Sequence, residues 1–283
     1  MAETSLRKNT AGPVRLGKIG YLNMLPIYYA LESGVIDHPF TIVSGPPAEL
    51  NKRFASGELD LSSVSSIEYG RNSGQYCLLP DLAIGSRGPV KSVLLLSRVP
   101  VEELGGRTIL VSSETHTSAA LLKILFRFHL PLDVRYATGD AAQCLRDGSC
   151  PSALLAIGDQ ALCLRNRTEF PHVWDLGQAW QDWTGLPFIF GVWAARREFL
   201  DTQPRARELC LKLLQAKEWG QAHRDVILDR ACEGRILSRP DMEEYFNGLV
   251  YDLGEREIEG LTRFYQYLNR FGEIEEPPEL AFI

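Results

Sequence analysis

The sequence has no run of the roughly eighteen apolar residues that a bilayer-spanning helix requires, which argues against a membrane protein. Met1 to Pro13 is polar and holds no apolar stretch of signal-peptide length. The chain is therefore expected to be cytoplasmic, with residues 1–13 a flexible tail. Its six cysteines, Cys77, Cys144, Cys150, Cys163, Cys210 and Cys232, form no C-x-x-C pair and no zinc spacing, so they are expected to be reduced thiols. His38, His116, His129, His172 and His223 show no metal-ligand spacing. The fingerprints G-x-G-x-x-G, G-x-x-x-x-G-K-[ST] and G-x-S-x-G are all missing. No metal or organic cofactor is expected. Positive charge is short as well: 30 Lys and Arg against 36 Asp and Glu leave a net charge of −6 with no basic run. That balance argues against nucleic acid or an anionic membrane surface as partner.

What is present is a strand–helix alternation in a chain of 283 residues, long enough for two domains. Phe188 to Ala195 is an uninterrupted apolar run rich in aromatic and β-branched residues, as a fully buried strand reads. Pro89 to Ser97 resembles it, and roughly ninety residues separate the two, enough for a small domain. The pair reads as an out-and-back crossing between two lobes: 14–97 with 192–283, and 98–191. The expected class is α/β, with mostly parallel sheets flanked by helices and a central cleft as the ligand site.

Such sheets bind ligands beyond the carboxyl ends of their strands. The loops expected there hold Tyr21, Asn23, Ser65, Ser66, Ser86, Thr117, Ser118, Asp159, Thr184, Gly185 and Pro187. Hydroxyls, amides and the free N–H groups of helix N-termini make a surface for a small carboxylate. Strand alternation sends Lys91 and Ser92 to opposite faces, so one of them faces the cleft. Each residue also has a plainer reading: Asn23 as a turn residue before Pro26, Thr117, Ser118 and Asp159 as helix caps, Ser92 as a buried hydroxyl bonded to backbone, His116 as a solvated loop residue.

Gly20-Tyr21-Leu22-Asn23-Met24-Leu25-Pro26, Pro80-Asp81-Leu82-Ala83-Ile84-Gly85, Gly88-Pro89-Val90-Lys91-Ser92, Thr117-Ser118, Ile157-Gly158-Asp159 and Trp183-Thr184-Gly185-Leu186-Pro187-Phe188 occur in that order. The set, across roughly residues 14 to 270, resembles the chorismate dehydratases of the futalosine route to menaquinone. The resemblance implies the two-lobed fold of type II periplasmic binding proteins. It implies conversion of chorismate to 3-[(1-carboxyvinyl)oxy]benzoate with loss of water, and Asn23 and Ser92 as the catalytic pair, which would put Ser92 in the cleft. It further implies that the substrate's enolpyruvyl carboxylate takes the proton; a protein base, His116 or Asp159, is the competing arrangement. Two other readings are a non-catalytic solute-binding protein of this fold and the related dihydroxynaphthoate synthase. The partner is a small dicarboxylate; oligomeric state is not legible.

Overall fold

A computed structural model describes residues 13–283; the expected flexible tail lies, apart from Pro13, outside the described residues. Strand β1 (Val14–Ile19), a 3-10 turn (Leu22–Met24), α1 (Leu25–Glu32), β2 (Phe40–Gly45), α2 (Pro47–Ala55), β3 (Leu61–Ser65), α3 (Ser66–Asn72) and β4 (Tyr76–Ser86) come first. The second unit runs β5 (Val93–Ser97), β6 (Thr108–Val111), α4 (Thr117–Ile124), a π turn (Leu125–His129), β7 (Arg135–Thr138), α5 (Ala141–Asp147), β8 (Ala153–Ile157), α6 (Gly158–Leu164), β9 (His172–Asp175) and α7 (Leu176–Thr184). The chain then returns through β10 (Phe188–Arg196) to α8 (Arg197–Thr202), α9 (Ala206–Ala222), α10 (Arg224–Cys232), α11 (Arg239–Gly248), β11 (Leu249–Val250) and α12 (Glu255–Phe271).

Two sheets result, one in the order β11-β4-β10-β3-β1-β2 and one in the order β7-β6-β8-β5-β9. Parallel pairing joins β1 to β2 and β3, and β6 to β7 and β8. The expected mostly parallel sheets are mixed, because β10 lies antiparallel between β3 and β4, and β5 antiparallel between β8 and β9. The reason is topological: both strands enter their sheet from the other lobe, without the crossover helix that parallel pairing needs. Each belongs to one sheet alone. The chain changes lobe at 87–92 and again at 185–187, earlier in both cases than the expected breaks after 97 and 191.

Helix α7 fills the chain between β9 and the return strand, and its apolar residues Leu176, Ala179, Trp180 and Trp183 recur at helical spacing. Trp180 is fully buried, edge-on to Phe188 at 5.2 Å between ring centroids. The helix is capped by Asp175, whose Oδ1 accepts from Gly177 N (2.9 Å) and Gln178 N (3.1 Å). The same carboxylate also accepts from Val90 N (3.1 Å) and Lys91 N (2.7 Å) in the outward crossing. One side chain thus ties a helix start to the hinge, where Lys91 holds a left-handed φ of 61°. Burial pushes its pKa up, and the four N–H donors oppose that shift.

Two further ties set the first lobe. Lys217 of α9, buried, donates to the Asp81 carbonyl (2.7 Å), Asp81 Oδ2 (2.7 Å) and Asp252 Oδ1 (2.9 Å). Asp81 sits at φ 51° where β4 and β10 shift register, so the Pro80-Asp81-Leu82 motif builds a bulge and its ionic anchor. Gly220 of α9 meets the Pro26 carbonyl so closely that a Cβ would overlap it, and α1 rests on α9 at this point. The turn bearing Asn23 is therefore seated from beneath.

Asp175→Ala should lower unfolding free energy by about 2 kcal/mol, because the cap is lost and several half-buried N–H groups lose their acceptor. Urea denaturation monitored by circular dichroism checks this; a change below about 0.5 kcal/mol would remove Asp175 from the hinge's support.

Candidate active site

A cavity of about 90 Å³ lies between the lobes. Its first-lobe walls are Ile19, Tyr21, Asn23 and Met24 after β1, Pro47 of α2, Ser63 to Ser65 of β3, Ile84 of β4, and Phe190, Gly191 and Trp193 of β10. The second lobe contributes Glu114 to Ser118, which enter α4, and Ile157 at the end of β8. The position follows from topology: β1, β3, β6 and β8 all deliver their carboxyl ends here, the site expected of α/β sheets. The volume falls below the roughly 300–1,000 Å³ of open ligand pockets, and contacts from both lobes close over it.

Three contacts hold that closure. Asp159 Oδ1 accepts from Leu22 N at 3.1 Å. Thr117 Oγ1 accepts from Ile67 N at 3.1 Å. The Tyr21 ring packs on Gly158, at φ 55°, where a Cβ would stand 3.0 Å from the ring. A side chain at 158 would therefore both strain the backbone and push Tyr21 away.

Buried polar atoms without partners mark where a ligand is wanted. Asn23 Oδ1, Ser63 Oγ and Thr115 Oγ1 are buried, make no hydrogen bond, and belong to residues lining this cavity. Asn23 stands on the 3-10 turn at 8% exposure, its backbone carbonyl accepting from Tyr251 Oη at 3.0 Å. Ser63 and Ser65 share one face of β3, opposite Trp193 and Gly191 of β10. Ser65 Oγ accepts from Asn51 Nδ2 (3.1 Å), whose own Oδ1 is buried and unpaired. Thr117 and Ser118 open α4, whose first-turn N–H groups have no intrahelical acceptor.

Of the residues expected from sequence, the cavity brings together Tyr21, Asn23, Ser65, Thr117 and Ser118, with Asp159 at its closing contact. Ser92 lies just outside the lining, 2% exposed, its carbonyl accepting from Gly158 N at 2.8 Å. Lys91 turns the other way, to Glu244 at 2.6 Å. The remaining residues lie elsewhere, with their polar groups engaged. Ser66 Oγ donates to Ile189 O (2.6 Å) and Ser86 Oγ to Gly88 O (2.9 Å). Thr184 Oγ1 donates to Trp180 O (2.8 Å), Gly185 caps α7 at φ 71°, and Pro187 O accepts from Trp180 Nε1 (3.2 Å). Ser63 and Glu114 were not singled out from sequence; for Ser63 the signal was its spacing of two from Ser65 on an alternating strand.

Among the described residues no Lys or Arg lines the cavity. Glu114 is exposed at the rim, and His116 is partly buried. Burial, with the Arg71 charge, holds the His116 pKa below its ordinary value, so the ring is neutral at pH 7. Burial, aided by Glu114 and Asp159, pushes the Tyr21 phenol up to about 12, so it remains a donor. The attraction for an anion comes from the α4 N-terminus and neutral donors.

Two mixed sheets, two crossings and a closed cleft with unpaired polar atoms define the periplasmic-binding-protein-like class. The solved structures agree in fold. A protein from Archaeoglobus fulgidus, AF1704, superposes with a TM-score of 0.75 at 19% identity, over 92% of this chain and 98% of that one. The periplasmic aliphatic sulphonate binding protein SsuA of Escherichia coli gives 0.66 at 14% identity, over 96% and 94%. Residues 14–270 match the family model described as menaquinone biosynthesis, and the chain belongs to that family. It is 30% identical to the chorismate dehydratase of Thermus thermophilus across 90% of this chain and 95% of that protein. The same organism's 1,4-dihydroxy-6-naphtoate synthase is 25% identical, across 95% and 99%.

Ser63→Ala and Thr115→Val should each leave the ligand-free protein as stable or up to about 1 kcal/mol more stable, since each removes an unpaired buried hydroxyl. Ser66→Ala, which strips a bond from Ile189 O, should cost about 1 kcal/mol. Thermal unfolding of the three variants checks the contrast; equal losses at all three would show Ser63 and Thr115 to be structural.

Proposed function

We propose that this protein is a chorismate dehydratase, a hydro-lyase that eliminates water from chorismate to give 3-[(1-carboxyvinyl)oxy]benzoate. The observation that carries the reading is the unpaired, buried Oδ1 of Asn23, a residue lining the cleft of a chain in the menaquinone-biosynthesis family. Chorismate has one hydroxyl to donate at neutral pH, the C4 group that departs, and Asn23 Oδ1 is an acceptor in need of a donor. The 30% identity to the Thermus thermophilus enzyme supports the substrate assignment.

In the reaction the C3–H pair of electrons forms the C3–C4 double bond as the C4–O bond breaks, and the ring becomes aromatic. The proton passes to the enolpyruvyl carboxylate, which hands it on to the departing C4 hydroxyl, so that water leaves and the carboxylate is regenerated. The C3 position is vinylogous to the ring carboxylate, so charge released on deprotonation spreads to that group. Donors on it, supplied by the α4 N-terminus with Thr117 and Ser118, act as an oxyanion hole acts. Asn23 orients the C4 hydroxyl, and Ser92, buried behind the lining, supports the Gly158–Asp159 turn through its carbonyl. Lobe closure sets the reacting groups in one geometry and excludes water.

Purified protein and chorismate, with no additive, should yield a product lighter by one water with the ultraviolet absorption of a substituted benzoate. Asn23→Ala should lower kcat at least about a hundredfold. His116→Gln should stay within about threefold of wild type, because loss of a true general base costs about a hundredfold to ten-thousandfold. A collapse of kcat in His116→Gln would transfer the proton to the protein and overturn the substrate-assisted step. Binding of chorismate without turnover would favour the solute-binding reading instead.

A further inference from the structure

Ser65 holds two places in the chain at once: it ends β3 and is the N-cap residue of α3. A serine at an N-cap ordinarily turns its oxygen to the N–H groups of the first helical turn. This one makes no such bond. Its Oγ accepts instead from Asn51 Nδ2 at 3.1 Å. Ile67 N, in the first turn of α3, is served from the other lobe by Thr117 Oγ1, also at 3.1 Å. Ser65 thus has its oxygen engaged and its capping task taken over. Its own O–H donates to no described residue, and Ser65 lines the cleft. Asn51 is firmly held: it lies on α2 at 3% exposure, with Leu50 and Phe54 of the same helix fully buried and the Phe54 ring 4.6 Å from Tyr76. The bond to Ser65 is the only one its amide makes among the described residues, since its Oδ1 is buried without a donor. Few natural structures keep such an amide without a use.

We infer that Asn51 is a positioning residue for Ser65: its amide N–H occupies the serine oxygen and leaves the serine's proton for a carboxylate of the bound substrate. This role rests on the dehydratase reading and extends it from the cleft wall to the helix behind it. A hydroxyl has one proton to give and rotates freely among acceptors and donors. A fixed N–H on its oxygen removes that freedom, and the two bonds in sequence strengthen each other. The local alternative for Ser65 is a bond to the backbone of α3, which would draw its oxygen away from Asn51. Thr117 takes over that bond from the second lobe, so the contact that closes the cleft is also the one that frees Ser65 for the ligand.

The test is a double-mutant cycle on the full chain with chorismate. Asn51→Leu, close in volume and without a donor, should lower kcat/KM about tenfold. Its unfolding midpoint should change little, because an unpaired buried oxygen leaves together with the bond. In a Ser65→Ala background the same substitution should do nothing further, since the group it acts through is gone. Wild-type kcat/KM in Asn51→Leu would overturn the role, and so would losses that multiply in the double variant. If Asn51→Leu does not fold, Asn51→Asp keeps the shape but only accepts, so it claims the Ser65 proton for itself. It should lower kcat/KM at least about tenfold in the wild-type background and have no effect with Ser65→Ala; a loss that persists there would again overturn the role. Turnover by the wild-type protein separates the two levels. If chorismate is bound but not converted, the dehydratase reading falls, and the same cycle read as Kd decides whether Asn51 acts through Ser65.

Discussion

A polar atom removed from water costs free energy until something bonds it, and three such atoms belong to residues that line one cavity between two lobes. The rest of the molecule is arranged so that this cost persists in the empty protein and is relieved by a ligand. Asn23, Ser63 and Thr115 come from a turn, a strand and a loop in two different lobes. They do not bond one another, and a molecule in the cleft is placed to reach all three. The Ser66 and Ser86 hydroxyls, by contrast, already donate to the Ile189 and Gly88 carbonyls and add nothing to recognition. Exposure and residue type alone do not separate these two sets; the hydrogen-bond partners do.

Keeping unpaired groups in place requires a scaffold stiff enough not to collapse on them. Asp175 gathers N–H donors from both the outward crossing and α7, so the hinge is braced by a single carboxylate. Lys217 anchors the bulge of β4 to the segment after β11. Gly220 lets α9 approach beneath Pro26, directly under the turn that presents Asn23. None of these residues touches the cavity. Each fixes an element that does, which is why a motif such as Pro80-Asp81-Leu82 stands far from the chemistry it supports.

Much of this was legible in the chain. The β1–turn–α1 start, the second-lobe alternation and helix α12 follow from hydrophobic period and from Pro26 at a helix start. Asn23, Thr117 and Ser118 were reachable as polar residues at strand ends. Three features were not. Helix α7 hides behind Gly177 and a Thr184-Gly185 ending that also reads as a loop, and its cap, Asp175, is shared with a distant segment. The antiparallel placement of β10 depends on where the chain returns after some ninety residues, which no local pattern encodes. Ser65-Ser66 reads as a loop, so the continuation of β3 to Ser65, which aligns it with Ser63, is not marked in the sequence. Local order was readable; partners distant in sequence were not.

The charge of the cleft decides how the proposed reaction can run. A net charge of −6 and a cavity without Lys or Arg look unsuited to a dicarboxylate. A cationic clamp, however, would lower the pKa of any carboxylate it held and weaken it as a base. Serine and threonine hydroxyls, the α4 N-terminus and an amide hold the same group while disturbing its basicity less. A buried, partly desolvated carboxylate is a stronger base than one in water. If the enolpyruvyl group is to remove the C3 proton, it needs placement without neutralisation. A lining that, among the described residues, has no cation and carries its one acid, Glu114, at the rim therefore fits substrate-assisted elimination better than it fits tight anion binding alone.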